Sequence, residues 1–273
     1  MTSAAALTIA IPTLPGADLG RRFSALERLY GVAAARRIRQ AHVVVVGVGG
    51  VGSWAAEALA RSGVGRLTLV DMDHVAESNI NRQVHAIDAT VGQAKVVAMQ
   101  QRIAGIHPAC VVRGIEEFVD ADNWPGLLGE GGPPVDAIVD ACDQVRAKVA
   151  MAVWARQKPG VAFIAAGAAG GKRLAHRVDV DDLTAVTHDP LLAQVRNRLR
   201  KEHGAPREGR TMGVACVFSR EPVQSVDASC ATVSDGSLNC HGYGSIVSVT
   251  ATFGQCAAGW VLNQIATLSS QAG

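Results

Sequence analysis

His42-Val43-Val44-Val45-Val46-Gly47-Val48-Gly49-Gly50-Val51-Gly52 is the stretch on which the reading of the fold turns. Four successive valines are stiff at χ1 and favour extended backbone, so residues 42–46 read as a buried strand. Gly47, Gly49 and Gly52 follow at G-x-G-x-x-G spacing, with Gly50 between them. Val51, Trp54, Ala55, Ala58 and Leu59 then recur at helical spacing up to Gly63. The unit is strand, glycine turn, helix, in which backbone N–H groups and the start of the helix can meet a phosphate. By itself the motif does not choose between NAD, FAD and ATP.

Beyond Gly63, residues 66–70 read as a second strand that ends at Asp71, where an acidic residue would hold a ribose hydroxyl. Residues 91–103 read as a helix, 111–113 as a short strand and 129–134 as a turn-rich loop. A strand at 135–139, a helix at 145–157 and a strand at 161–165 repeat the alternation that demands a parallel sheet. After the glycine-rich residues 167–171 the character changes: strand-like pieces at 174–178 and 213–218 bracket a basic helical segment. The expected fold is therefore α/β, a Rossmann-type, mostly parallel sheet flanked by helices, with a C-terminal extension completing the sheet. Residues 1–18, with two prolines, read as a flexible tail, and 19–273 as a single domain.

An apolar content of 48% is enough for a full core, and a net charge of only +2 supplies no global field, so a polyanion would have to be met by a local patch. The six cysteines include no C-x-x-C pair, which argues against a zinc ribbon and a thioredoxin-like site, so no zinc is expected. A reducing cytoplasm is the expected location. Residues 245–268 are largely apolar, but Ser248, Thr250, Thr252, Gln255 and Asn263 interrupt them. That reads as a buried helix, with peripheral membrane association through this helix as the alternative.

Two carboxylates, an arginine and a lysine lie just beyond the second strand, in Asp71-Met72-Asp73-His74-Val75, Ser78-Asn79-Ile80-Asn81-Arg82-Gln83 and Gly92-Gln93-Ala94-Lys95. Hydride transfer has no need of that set. Attack of a carboxylate on the α-phosphate of ATP does: cations balance the developing phosphate charge and a carboxylate holds Mg2+. The pattern D-x-D-x-V-x-x-S-N-x-x-R-Q followed by V-G-x-x-K resembles the ubiquitin-activating-enzyme superfamily. The resemblance implies ATP and Mg2+ as cofactors and a nucleotide site built on Gly47, Gly49, Gly50, Gly52 and Asp73. It further implies ribose contact for Asp71, phosphate contacts for Asn79, Arg82 and Lys95, and support from Gln83. It puts Asp143, in Asp140-Ala141-Cys142-Asp143, at the metal and the acyl-phosphate, while Asp140 reads as a cap of the following loop. It also implies a homodimer in which an N-terminal arginine crosses to the partner's active site. Arg28 is favoured over Arg22, against a plain amphipathic surface helix.

Within that superfamily, the bacterial branches that charge ubiquitin-like sulfur carriers usually hold zinc with paired C-x-x-C motifs, which this chain lacks. Residues 54–61, Asp189-Pro190-Leu191 with its basic helix, 214–219, and 242–254 instead resemble the tRNA threonylcarbamoyladenosine dehydratases. That resemblance implies ATP-dependent ring closure on a modified adenosine of tRNA. Adenylation of the C-terminus of a ubiquitin-like sulfur carrier is the alternative, and an NAD-binding oxidoreductase and a non-catalytic RNA-binding protein are more distant ones. Cys216, Cys230 and Cys240 are candidate thiolates for a sulfur-relay partner of the cysteine desulfurase system, against the plainer reading of small core or loop thiols. For the tRNA, Leu191, Leu192, Val195 and Leu199 form a buried stripe that turns Arg196, Arg198, Arg200 and Lys201 outward, with Arg207 and Arg210 beyond.

Overall fold

The computed structural model describes residues 16–129, 131–207, 209–225 and 243–267. Two N-terminal helices, α1 (Leu19–Tyr30) and α2 (Val32–Gln40), lead into β1 (His42–Val46), α3 (Gly52–Arg61), β2 (Arg66–Val70), α4 (Lys95–Ile106) and β3 (Val111–Ile115). The chain then crosses over to β4 (Ala137–Asp140), α5 (Val145–Arg156) and β5 (Ala162–Ala166), and ends in β6 (Val178–Asp182), α6 (Pro190–Glu202), β7 (Ala215–Ser219) and α7 (Val247–Thr267).

These strands make one seven-stranded sheet in the order β3-β2-β1-β4-β5-β7-β6. Every pair is parallel except β6 with β7. Strand order reverses between β1 and β4, and in an open α/β sheet ligands bind outside the carboxyl ends of the strands at such a switch point. Here those ends are Gly47, after β1, and Asp140 through Asp143, after β4. One face of the sheet is covered by α3, α4 and α7, the other by α5 and α6, each with its own apolar cluster.

The central strands, buried on both faces, lie where the valine and alanine runs place them. The structure departs from the sequence reading at β6 and at the start of α4. Residues 175–177 form a 3-10 turn, and the strand runs instead through Val178-Asp179-Val180-Asp181-Asp182. As an edge strand paired only to β7, it tolerates carboxylates that a central strand would not. Helix α4 begins at Lys95 and not at 91, because Gly92 has φ +86° and Ala94 bridges His74. Helix α7 is buried as its sequence reads: Val249, Phe253, Ala257, Val261 and Ile265 lie in the core beside α3, so its apolarity belongs to the interior and not to a membrane surface. No helix among the described residues is long and apolar enough to cross a membrane.

Candidate functional site

Gly47 turns the chain out of β1 with φ +83°, its N–H bonded to Val70 O at 2.8 Å. A β-carbon there would lie 2.8 Å from the carbonyl of Ala141, and one on Gly52 would lie 1.8 Å from Gly47 O, so these two glycines are sterically required. Gly49 and Gly50 face a different neighbourhood: the nearest atom to a β-carbon on Gly49 is Gln83 Nε2 at 3.9 Å, and Gly50 has Thr250 Cγ2 at 3.2 Å and Arg82 Cδ at 3.6 Å. Arg82 and Gln83 are thus brought over the glycine turn, although they are separated from it by about thirty residues of chain.

The turn that carries them is shaped by Asn79. Its Oδ1 accepts from Ala76 N at 3.1 Å, and its carbonyl accepts from Arg82 N and Gln83 N at 3.0 and 2.9 Å. Arg82 is clamped from behind, its carbonyl accepting from Trp54 Nε1 at 3.0 Å and its guanidinium donating to Ser78 O at 2.6 Å and Asn81 Oδ1 at 3.0 Å. Gln83 is buried with Oε1 unpartnered among the described residues.

Asp71, expected near a ribose, spans two jobs. Oδ2 accepts from Val48 N of the glycine turn at 2.6 Å and Oδ1 from Asp73 N at 2.9 Å. Burial raises its carboxyl above the ordinary range, with Lys95 opposing. Lys95, only 4% exposed, has Nζ 2.7 Å from Asp73 and 4.0 Å from Asp71. A buried ammonium needs such partners, and these two hold its head beside the glycine turn.

At the end of β4, Asp140 does cap the next loop, accepting from Cys142 N at 3.3 Å, but it also makes a fully buried ion pair with Lys148 at 3.0 Å. Lys148 Nζ donates on to Ala166 O at 2.8 Å, tying β5 to β4. Burial alone would pull Lys148 down, and the Asp140 carboxylate reverses this and leaves it above its ordinary value. Sequence reasoning passed over Lys148, although a lysine in the stripe of Ala147, Met151, Ala152 and Ala155 was a signal, since an unpaired charge is not buried there. Asp143 is exposed and makes no hydrogen bond or ion pair with another described residue. No group of three metal-ligating side chains occurs among the described residues. A single free carboxylate suits a cation that keeps its waters and takes its other ligands from substrate phosphates, as Mg2+ does.

Several of the expected functional residues fall elsewhere. Arg22 is held within its own chain by Ile106 O at 2.6 Å, whereas Arg28 is exposed with no bond to a described residue. Tyr30, two residues on, bonds Asn263 near the far end of α7, thirteen residues or about 20 Å along that helix from Thr250 at the glycine turn. Cys216 is buried and its thiol is pushed well up by burial, which leaves it a core thiol; Cys230 and Cys240 lie outside the described residues. Asp189 caps α6 through Leu192 N at 2.9 Å as its sequence predicts. Arg196, expected to face outward, is half-buried and donates to Leu183 O at 3.1 Å and Val186 O at 2.9 Å. Arg200 is also half-buried, its Nε 3.4 Å from Pro206 O. Both lie beside the Leu192–Val195–Leu199 stripe, where a long stem packs and the head satisfies loop carbonyls.

The ThiF family profile matches residues 22–272. The chain is 39% identical over 262 residues to the tRNA threonylcarbamoyladenosine dehydratase of Escherichia coli (strain K12), covering 93% of this chain and 96% of that one. To the enzyme of the same name from Haemophilus influenzae it is 37% identical over 249 residues, 90% of this chain and 93% of that one. The crystal structure of the Escherichia coli tRNA N6-threonylcarbamoyladenosine dehydratase in complex with ATP matches with a TM-score of 0.82 at 36% identity, over 96% of this chain and 100% of that one.

Proposed function

The chain belongs to the ThiF family and, within it, to the tRNA threonylcarbamoyladenosine dehydratases, and from this premise we propose that it closes a ring on threonylcarbamoyladenosine in tRNA with ATP as co-substrate. The threonine carboxylate attacks the α-phosphorus of ATP; the bond to the bridging oxygen breaks, and pyrophosphate leaves. A nitrogen of the carbamoyl linkage then attacks the acyl-adenylate carbonyl. The carbon–oxygen bond to AMP breaks and the nitrogen loses its proton, so the nucleoside loses one water overall. The attacking nitrogen is tethered to the acyl group, so proximity supplies much of the rate and no cysteine nucleophile is required.

The observation that carries this reading is the convergence of Arg82 and the buried Lys95 on the glycine turn at the switch point. Backbone N–H groups around Gly49 and Gly50 receive phosphate. Lys95, oriented by Asp73, and Arg82, held by Asn79, balance the charge that develops on the α-phosphate and pyrophosphate. Gln83, beside Gly49, has an unused polar group to offer the nucleotide. Each oxygen of Asp71 keeps a lone pair for a ribose hydroxyl after accepting its backbone bond. Asp143 would hold Mg2+ together with the phosphates, and the ion would supply Lewis-acid stabilisation of the phosphoryl charge. We assign residues 19–273 to one adenylation unit acting as a homodimer, with Arg28 serving the partner's site.

The test is direct. Purified protein, ATP, Mg2+ and tRNA bearing threonylcarbamoyladenosine should yield AMP, pyrophosphate and a nucleoside lighter by one water on mass spectrometry. Pyrophosphate formed only when a protein with a Gly-Gly tail is added would instead establish a carrier-activating enzyme.

A further inference from the structure

On the sheet face away from α3 and α7, α5 and the end of α6 enclose a groove of about 370 Å³. Arg146, Val153 and Trp154 line it from α5, Arg198 and His203 from α6 and its end, and Trp124 from the loop before β4. Arg146, Val153 and Trp154 are spaced by about two helical turns and so share one face of α5. That face starts three residues after Asp143, so the groove opens beside the carboxyl end of β4 and leads away from the proposed reaction centre.

The walls combine two features. Trp154 and Trp124 meet edge to face, their centroids 5.6 Å apart, and Lys158 Nζ lies 5.9 Å from the Trp154 ring. Trp124 leaves its buried indole N–H without an acceptor among the described residues. Arg146 and Arg198 bring cations to the same groove, against one acid on its lining, Glu202. Asp120 stands in the neighbouring loop with its carboxylate already accepting from the backbone N–H groups of Asp122 and Asn123 at 2.8 Å. Aromatic faces interleaved with guanidinium groups suit a single strand of nucleic acid, in which bases stack and phosphates pair.

We propose that this groove takes the tRNA strand next to the reacting adenosine, a flanking base against Trp154 and the backbone against Arg146 and Arg198. The inference rests on the dehydratase reading above. It replaces an outward arginine row on α6 with a site to which α6 contributes Arg198, Arg196 being committed to the carbonyls of Leu183 and Val186.

The experiment measures tRNA affinity against salt for wild type, Arg146→Gln/Arg198→Gln, Trp154→Phe and Trp154→Leu, with ATP affinity and melting temperature determined alongside. Each phosphate that is no longer neutralised by a side chain lowers the salt slope by about 0.7, so the double arginine variant should flatten it by about 1.4. Trp154→Phe keeps a stacking face and should weaken tRNA binding by less than about threefold, while Trp154→Leu should weaken it by about tenfold. ATP affinity and melting should stay near wild type in the arginine variants, which keeps the test valid if Trp154→Leu fails to fold. An unchanged slope and affinity in a folded Arg146→Gln/Arg198→Gln protein that still turns over would overturn the groove while sparing the dehydratase reading; the groove would then belong to a peptide or protein partner. A wild-type protein that neither binds tRNA nor consumes ATP in its presence would overturn both.

Discussion

Gly47 shows how much a single position carries: its φ of +83° and the 2.8 Å separation that a β-carbon would have from the Ala141 carbonyl leave no room for a side chain. Gly47→Ala should therefore lower stability by about 1–3 kcal/mol and weaken ATP binding together, read by thermal melting and nucleotide titration. A variant that melts and binds as wild type does would show that the turn relaxes freely. Lys95 and Arg82 are proposed to act on phosphate charge. Arg82→Ala and Lys95→Ala should each abolish pyrophosphate release while the protein remains folded, since the proposed mechanism puts both beside the charge that builds in the transition state. Near-normal turnover in both would remove the adenylation chemistry. Asp143, exposed at the end of β4, should behave differently: Asp143→Asn should cut turnover far more than ATP affinity, and equal losses in the two would point to a structural role. That these residues belong together was legible in the family motif that the sequence resembles. That Asn79 works by bracing the turn beneath Arg82 and Gln83 was not, because a hydrogen bond from Ala76 N to its Oδ1 leaves no trace in composition.

Two junctions between elements hold the site in register. Between β4 and α5, removing the charge of Lys148 while leaving Asp140 strands a buried carboxylate. Lys148→Met should accordingly cost about 3–5 kcal/mol, and the double variant Asp140→Leu/Lys148→Met should recover a large part of it. Chemical denaturation of Lys148→Met, Asp140→Leu and the double variant checks this; additive losses would mean that the pair is not coupled. Between α3 and α7, a β-carbon on Gly254 would lie 2.5 Å from Val51 O and 2.7 Å from Trp54 Cβ, so the two helices touch backbone to backbone there. Gly63 and Asp189 announce an element's end and start through cap chemistry that acts within a few residues. The edge strand β6 had no such signal: in V-D-V-D-D only Val178 and Val180 offer an apolar face to the core, and β7 supplies the hydrogen bonds that complete the strand.

For the whole molecule, the proposed homodimer makes a prediction that a monomer cannot meet. Tyr30, two residues after Arg28, bonds Asn263 near the end of α7 away from the glycine turn, so the site proposed for Arg28 is a partner's. Mixing Arg28→Ala with Asp143→Asn should then restore about a quarter of wild-type turnover, since half the dimers are mixed and each mixed dimer has one intact site. No recovery on mixing would leave Arg28 as a surface residue. Global stability should also fall in acid because of His85, buried with both ring nitrogens unpartnered among the described residues. Burial first, then Lys95 and Arg102, lower its pKa from 6.5 to about 4. The unfolded chain takes up a proton as pH drops below 6.5 and the folded chain does not until near 4, so the stability present above 6.5 is lost across that window, by up to about 1.4 kcal/mol per pH unit. Wild-type melting should fall more steeply than that of His85→Leu between those values, and parallel curves would exclude His85 as the cause. The α/β class, the parallel strands and the glycine turn followed from sequence, because periodicity, β-branching and glycine spacing act over a few neighbouring residues. Only the tertiary structure decided that Lys148 would pair inside the core, that Arg196 would be spent on loop carbonyls and that Arg146 and Arg198 would face one groove. Those outcomes depend on which distant elements pack together, and a charged side chain is written identically in a sequence whether it ends in water or against a partner.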